Sequence, residues 1–456
     1  MKFTKFGKAL LLSALSAGVI LGVTSCIESY ATGYLYVTGT VTAQAGGNGI
    51  ISGFSIDHNT GKLTAIHGLP IGSGGANPVR AILITGSRFL YVLNLGVNSA
   101  GNGDCTLADP CTGSNITEFA VGGNGILTPQ ETFYSQGINP FRILADSSGS
   151  FIYVLDHDSP VNAAPAAGDA CTLALGAATT TCGDVTVFKV DQTTGRLQLI
   201  VNAQVTAANG AALPYFPVPA NPVDFVQASG SFLTLFGSTP PTSYPYTGGA
   251  SVFPYTYNST SGQLTINQNT AQPLGIGQGN AIVYAGGIIY VLDNEPITVD
   301  FNNASKSAQS QILPYSVGSN GALQAESGGI VPDDPTLANP IYLMVESKGK
   351  FVYVANQGNN TTGANANSGL AGYFITTSPA YQLNFIADQP FGSGSGPQCL
   401  VEDPSDQFVY SADIDDSSVT GRAVDPNSGD LTNLRSTSTY ALQGPATWCL
   451  VDGRTN

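Results

Sequence analysis

The sequence predicts an all-β chain closed into a ring: a seven-bladed β-propeller with four antiparallel strands per blade. Three observations predict it. One sequence unit recurs along the whole chain, a second unit follows each copy of the first, and the seventh copy is divided between the two ends. Composition agrees. There are 55 Gly and 27 Pro in 456 residues, about 18 %, and only 10 % of residues are charged. That is more Gly and Pro than the usual ~12 % of globular chains but less than low-complexity disorder shows. Aromatic and β-branched residues are plentiful, and no long stretch carries a helical apolar period, so the pattern is that of short strands and tight turns.

The first unit is a Gly/Asn-Pro, an apolar strand, a turn and an aromatic-rich strand. It runs from Asn77-Pro78 to Phe89-Leu90-Tyr91-Val92-Leu93-Asn94, and from Asn139-Pro140 to Phe151-Ile152-Tyr153-Val154-Leu155-Asp156. The third copy runs from Asn221-Pro222 to Phe236; the fourth lacks the proline and ends in Ile288-Ile289-Tyr290-Val291-Leu292-Asp293. Asn339-Pro340 to Asn356 is the fifth and Gly396-Pro397 to Ser411 the sixth. Gly444-Pro445 to Asp452 supplies the first half of the seventh, and Tyr34-Leu35-Tyr36-Val37-Thr38 supplies its second half from the other end.

The second unit is a strand, a Gly/Asn turn and another short strand. Its copies lie at 51–63, 116–127, 185–197, 251–264, 312–323, 370–383 and 419–431. Together the two units give each blade strands A to D, with A innermost. The last blade is then closed by one C-terminal and three N-terminal strands, and radial repetition leaves only short edges exposed. A parallel β-helix or a sandwich predicts no repeat split between the termini.

The N-terminus reads as a bacterial lipoprotein signal. Lys2, Lys5 and Lys8 precede an uncharged, mostly apolar run from Ala9 to Val23, which ends in Val23-Thr24-Ser25-Cys26. That run is too short for a comfortable permanent span. Residues 1–25 are therefore expected to be a signal peptide, Cys26 the lipidated residue, 26–33 an anchor linker and 34–456 the propeller. Acyl chains contribute about 0.8 kcal/mol per buried methylene, so membrane attachment is expected through the lipid anchor only. Ile27 and Glu28 do not resemble an inner-membrane retention signal, which favours the outer membrane.

Removing that signal takes three of the 15 Lys+Arg and none of the 30 Asp+Glu, leaving a net charge of −18. Such a surface repels nucleic acid and acidic headgroups, so no nucleic-acid partner is expected. With Cys26 assigned to lipid, six of the seven cysteines remain, an even number in a disulfide-permissive compartment.

The Gly/Asn-Pro…Phe-x-Tyr-Val-x-Asn pattern, with its strand–Thr-Gly-x-Leu hairpins, resembles the lactonase-like seven-bladed propellers. These include the 6-phosphogluconolactonase-type and muconate-cycloisomerase-type proteins, and the resemblance covers residues 34–454. It implies a Pro-Arg-His stretch entering one inner strand and an Asn-Glu after the next. Here Asn77-Pro78-Val79-Arg80 and Asn139-Pro140-Phe141-Arg142 place an arginine where the histidine would stand, and the later position reads Asp156-His157. The acid and base that lactone opening requires are not carried over.

In an A–B–C–D meander the B–C and D–A loops share one face of the disc. The C–D turns are short, whereas the B–C loops 95–115, 157–184, 294–311 and 357–369 are long. Insertions gathered on one face mark it as the working face. Two of these loops repeat a motif, Gly103-Asp104-Cys105-Thr106-Leu107 and Gly168-Asp169-Ala170-Cys171-Thr172-Leu173. The simplest pairing is Cys105–Cys111 and Cys171–Cys182, with cross-loop pairing as the rival. Cys399 and Cys449 stand at like positions in neighbouring inner strands, either bridged or as two packed thiols.

The candidate ligand-binding residues are Arg80, Arg142, Asp156, His157 and Asp224. Two guanidiniums at the channel mouth suit a small anion, and their structural alternative is an ion pair with Asp224 or bonds to backbone carbonyls. His58 and His67 read as surface residues. Asp413, Asp415 and Asp416 lack the glycine and glutamate of a calcium loop, and no nucleophile motif, phosphate loop or zinc spacing is present. No metal and no cofactor are expected. Two functions fit: a lipid-anchored binding module for a small anionic ligand or a cell-envelope protein, expected to be a monomer; or a lactonase or cycloisomerase acting on an anionic sugar or organic-acid lactone.

Overall fold

The computed structural model describes residues 30–453, except 45–46, 85, 87, 164–168, 177–178, 180, 208, 238–248, 267–270, 277–278, 295–309, 319, 359–366 and 378–379. The signal and Cys26 lie outside the described residues. Seven antiparallel sheets form the ring, and in five of them a further short strand extends the outer edge. The inner strands of blades one to seven are Pro78–Leu83, Ile138–Ala145, Pro222–Ala228, Gly279–Ala285, Pro340–Val345, Pro397–Glu402 and Ala446–Asp452. Blade seven is the split one. Ala446–Asp452 pairs with Ala31–Gln44, which continues through Gly47–Asp57 to Leu63–Ala65.

There is no single core. Seven apolar clusters lie one in each seam between neighbouring sheets; Leu35, Val37, Phe54 and Ile56 of blade seven, for example, meet Phe408, Tyr410 and Ala412 of blade six. Second strands such as Phe351–Asn356 are buried along their whole length because both faces of each sheet are covered.

The Phe-x-Tyr motif is the device that joins the seams. Tyr36, Tyr153, Tyr353 and Tyr410 each donate a hydroxyl hydrogen bond to the carbonyl of a turn glycine in the next blade: Gly125, Gly262, Gly429 and Gly61, at 2.8, 3.3, 2.7 and 2.7 Å. Tyr91 does the same to Gly195. The glycine is required twice over. At Gly61 φ is +66°, and a Cβ there would lie 2.5 Å from Phe408, the motif's own phenylalanine. Blade three departs from the rule. In its register Ser231 and Leu233 take the places of Phe and Tyr and face Gly321.

The Gly/Asn-Pro start has an equally local cause. Asn77, Asn139, Asn221 and Asn339 adopt φ between 51° and 58°, and Gly396 φ 72°, the left-handed region that Gly and Asn tolerate best. Their carbonyls then accept from the first residue beyond the second strand, as Leu95 N–H does at Asn77 and Gln357 N–H at Asn339, both 2.9 Å.

The loop 157–184 contains structure that the sequence reading did not foresee, a 3-10 turn at Pro160–Ala163 and a helix at Ala170–Leu175. Asp169 caps the helix by accepting from Thr172 N–H at 3.0 Å, and Ala170 packs with Val205, Leu213 and Tyr215 of an insertion in the same blade. Six residues are too few for an apolar period to register. The cysteines pair as Cys105–Cys111, Cys171–Cys182 and Cys399–Cys449, with Cα separations of 5.3, 5.6 and 5.9 Å, inside the range a disulfide spans.

Candidate functional site at the channel mouth

Every inner strand opens on a β-bulge. The pairing register skips one residue between Pro78 and Arg80, and the same shift recurs in the other six blades. A bulge re-aims side chains at the point where pairing slips. The skipped residues include Val79, Asn280, Ile341, Gln398 and Thr447, which line a recess of about 350 Å³ together with Arg80, Arg142, Gln357, Ile414 and Trp448. Gln357 and Ile414 follow the ends of second strands, so the recess opens on the long-loop face.

The residue after the skipped one in each inner strand forms the next ring: Arg80, Arg142, Asp224, Ala281, Tyr342, Cys399 and Trp448. Three of the expected site residues therefore occupy equivalent positions in consecutive blades. Asp224 Oδ1 lies 3.1 Å from Arg80 Nη1 and 3.4 Å from Arg142 Nε, while Oδ2 accepts from Ile282 N–H at 3.2 Å. Arg142 also donates from Nη1 to its neighbour's carbonyl, Phe141 O, at 3.2 Å. Burial, and then the charge of Arg80, push Arg142 down to about 10 against the pull of Asp224, so the Arg142 guanidinium stays charged at neutral pH. The recess thus carries two cations against one carboxylate.

Aromatic side chains fix the arginines. The Arg80 guanidinium stacks 4.1 Å from the centroid of Trp448, and Tyr342 meets that indole edge-on at 5.1 Å. Trp448 and Tyr342 were missed in the sequence. Tyr342 was legible, because it stands two residues after Pro340 as Arg80 does after Pro78. Trp448 follows Pro445 by three, and the strand register alone brings it into the ring.

Asp156 and His157 stand apart from this cluster. Asp156 is wholly buried at the end of the second strand, accepts from Ser135 Oγ and, at 3.3 Å, from Thr186 Oγ1, and faces Asp184 directly across the sheet. Burial pushes both carboxyls up, and the charge of Asp156 adds to the rise at Asp184. The same place is held by Asn94, Asp293, Asn356 and Asp413, all buried; Asn94 takes Ser73 Oγ–H at 2.6 Å and Asp413 takes Thr420 Oγ1–H at 2.8 Å. The motif's last Asn/Asp is thus a clasp between a D–A loop and the third strand. His157 is half exposed, with Nδ1 2.8 Å from Asp158 Oδ2 and its ring 6.1 Å from Phe141. Against the effect of burial, His157 and the Asn162 amide hold Asp158 below the ordinary carboxylate range. Among the described residues no three His, Cys, Asp or Glu converge as a metal site.

Residues 248–450 match the family model "Lactonase, 7-bladed beta-propeller". A candidate 6-phosphogluconolactonase of Bacteroides uniformis is similar in structure, with a TM-score of 0.60 and 11 % identity over 92 % of this chain and 99 % of that one. The periplasmic gluconolactonase of Pseudomonas aeruginosa gives 0.59 and 16 % over 92 % and 99 %. No curated protein matches in sequence. By fold the chain is a seven-bladed β-propeller, and its residues 248–450 are similar to the lactonase propellers.

Proposed function

We propose that the protein is an extracytoplasmic, lipid-anchored capture module that holds a small organic anion of the sugar-acid class in the channel mouth. The observation that carries this reading is the pair of guanidiniums sharing one carboxylate at the floor of a recess rimmed by Asn280, Gln357, Gln398 and Thr447. An unbalanced buried charge is costly until a counter-ion completes it, and the amides and hydroxyl offer donors and acceptors to a polyhydroxylated ligand. Three disulfides support a compartment outside the cytoplasm. The Val-Thr-Ser-Cys26 junction supports the anchor, with the outer membrane as its site.

The family model and the gluconolactonase neighbour favour a second reading, lactone hydrolysis. Among the described residues the recess lining includes no histidine and no carboxylate, and Asp224 behind it is held by both arginines, which argues for capture over turnover. Trp448 is the only tryptophan of the chain, so its fluorescence reports the site directly. Titration with gluconate should shift that signal saturably, and Arg80→Ala with Arg142→Ala should weaken binding at least tenfold. A turnover of several per second on a simple aldonolactone, abolished in the double variant, would replace capture by catalysis. With neither binding nor turnover, the Cys-stapled loops and a cell-envelope protein partner become the better reading.

A further inference from the structure

We infer that Asp224 is a specificity-determining residue that suits the channel mouth to monoanionic carboxylates and sets it against phosphorylated ligands. The inference rests on the capture site proposed above and names its ligand class. Asp224 is a fixed element of the site and not a loose counter-ion. It is nearly inaccessible, one oxygen takes both guanidiniums at 3.1 and 3.4 Å, and the other takes the Ile282 amide at 3.2 Å. Its charge cannot swing away when a ligand enters. Arg80 is equally fixed by the indole of Trp448, 4.1 Å from the ring centroid.

Charge balance then selects the ligand. Among the described residues Asp224 is the carboxylate in ion pair with either guanidinium, so the cluster holds one positive charge in excess. A single carboxylate balances it and matches the planar fork of a guanidinium. A phosphate dianion overshoots the balance and puts its second charge beside a carboxylate that has no freedom to move. Beside a carboxylate as buried as Asp224 such repulsion is stronger than at the surface.

The test is Trp448 fluorescence titration of the full-length protein in detergent with gluconate, glucose 6-phosphate and 6-phosphogluconate at about pH 7.5, where both phosphates are mainly dianionic (second pKa about 6). Gluconate should bind at least tenfold more tightly than either phosphate. Asp224→Asn, which keeps the shape and an acceptor for the Ile282 amide, should close that gap by at least tenfold. The wild-type protein supplies an independent arm if the variant does not fold. Lowering the pH to about 5 protonates the phosphate to a monoanion, so glucose 6-phosphate should gain affinity while gluconate changes little. Equal or tighter binding of the phosphates at the higher pH, or an unchanged ratio in Asp224→Asn, overturns the selectivity and leaves the capture site standing. Absence of binding by all three removes the capture site, and the selectivity with it.

Discussion

Tyr410 donates its hydroxyl to the carbonyl of Gly61 across the closing seam of the ring, 2.7 Å apart in space and 349 residues apart in sequence. Blade six and the N-terminal part of blade seven meet at this bond, so it measures ring closure. Tyr410→Phe keeps the ring packing but leaves the Gly61 carbonyl without that donor. A loss of about 1–2 kcal/mol is expected, read as a lowered urea midpoint with an unchanged slope. An unchanged midpoint would mean that the hydroxyl contributes nothing to closure.

Glu118 makes stability depend on pH. It is wholly buried beside the Gly195 turn, with neither carboxylate oxygen hydrogen-bonded among the described residues. Burial, and then the charge of Glu131, push it up to about 7 against the opposing Arg196, while in the unfolded chain it titrates near ~4.3. Between those values the folded state binds more protons than the unfolded one, so the Glu118 contribution falls as pH rises and is lost above about 7. Glu118→Gln should match the wild type near pH ~4 and exceed it at pH 8 by at least about 1 kcal/mol. Urea melts at both pH values check this, since the difference between the two proteins isolates this residue from the other buried acids. Parallel pH profiles would exclude it.

Cys399 and Cys449 join the inner strands of blades six and seven over a separation of 50 residues. Chain-entropy arguments put the stabilisation from closing such a loop at about 4 kcal/mol. Replacing both cysteines by serine should lower the thermal midpoint, and reductant should then destabilise the variant less than the wild type. Non-reducing peptide maps should recover the two segments as one joined peptide. Recovery of two separate, alkylated peptides is the contrary result.

Cys26 is expected to carry the lipid. Cys26→Ala should move the protein from the detergent phase to the aqueous phase on phase partitioning. A variant that stays in the detergent phase would mean that something other than this cysteine holds the protein on the membrane.

Much of this molecule was readable from one dimension because its rules are short-range and repeated. The Phe-x-Tyr motif, the left-handed Asn before proline and the short glycine turns recur in step, and a repeat divided between the ends has few ways to pack other than as a closed ring. Spacing narrowed the disulfides, since Cys105 and Cys111 share one loop and Cys399 and Cys449 occupy like positions in adjacent strands, and the structure excluded cross-loop pairing and free thiols. Sequence position also marked Arg80 and Arg142 as equivalents, since each stands two residues after a proline, and the structure adds Asp224 to the same ring. What lay beyond reach depends on contacts across the ring. An ion pair with Asp224 was one of the roles open to the arginines in sequence; that Arg80 and Asp224, 144 residues apart, do meet follows from how seven bulged strands converge on one axis. Trp448 joins them only through register, its copy being one residue out of step. Asp156 looked like a site residue until packing enclosed it between Ser135, Thr186 and Asp184. Local propensity sets what each strand and turn will be, but which side chains face water, which share a charge and which are sealed between sheets is settled by the curvature of the closed ring.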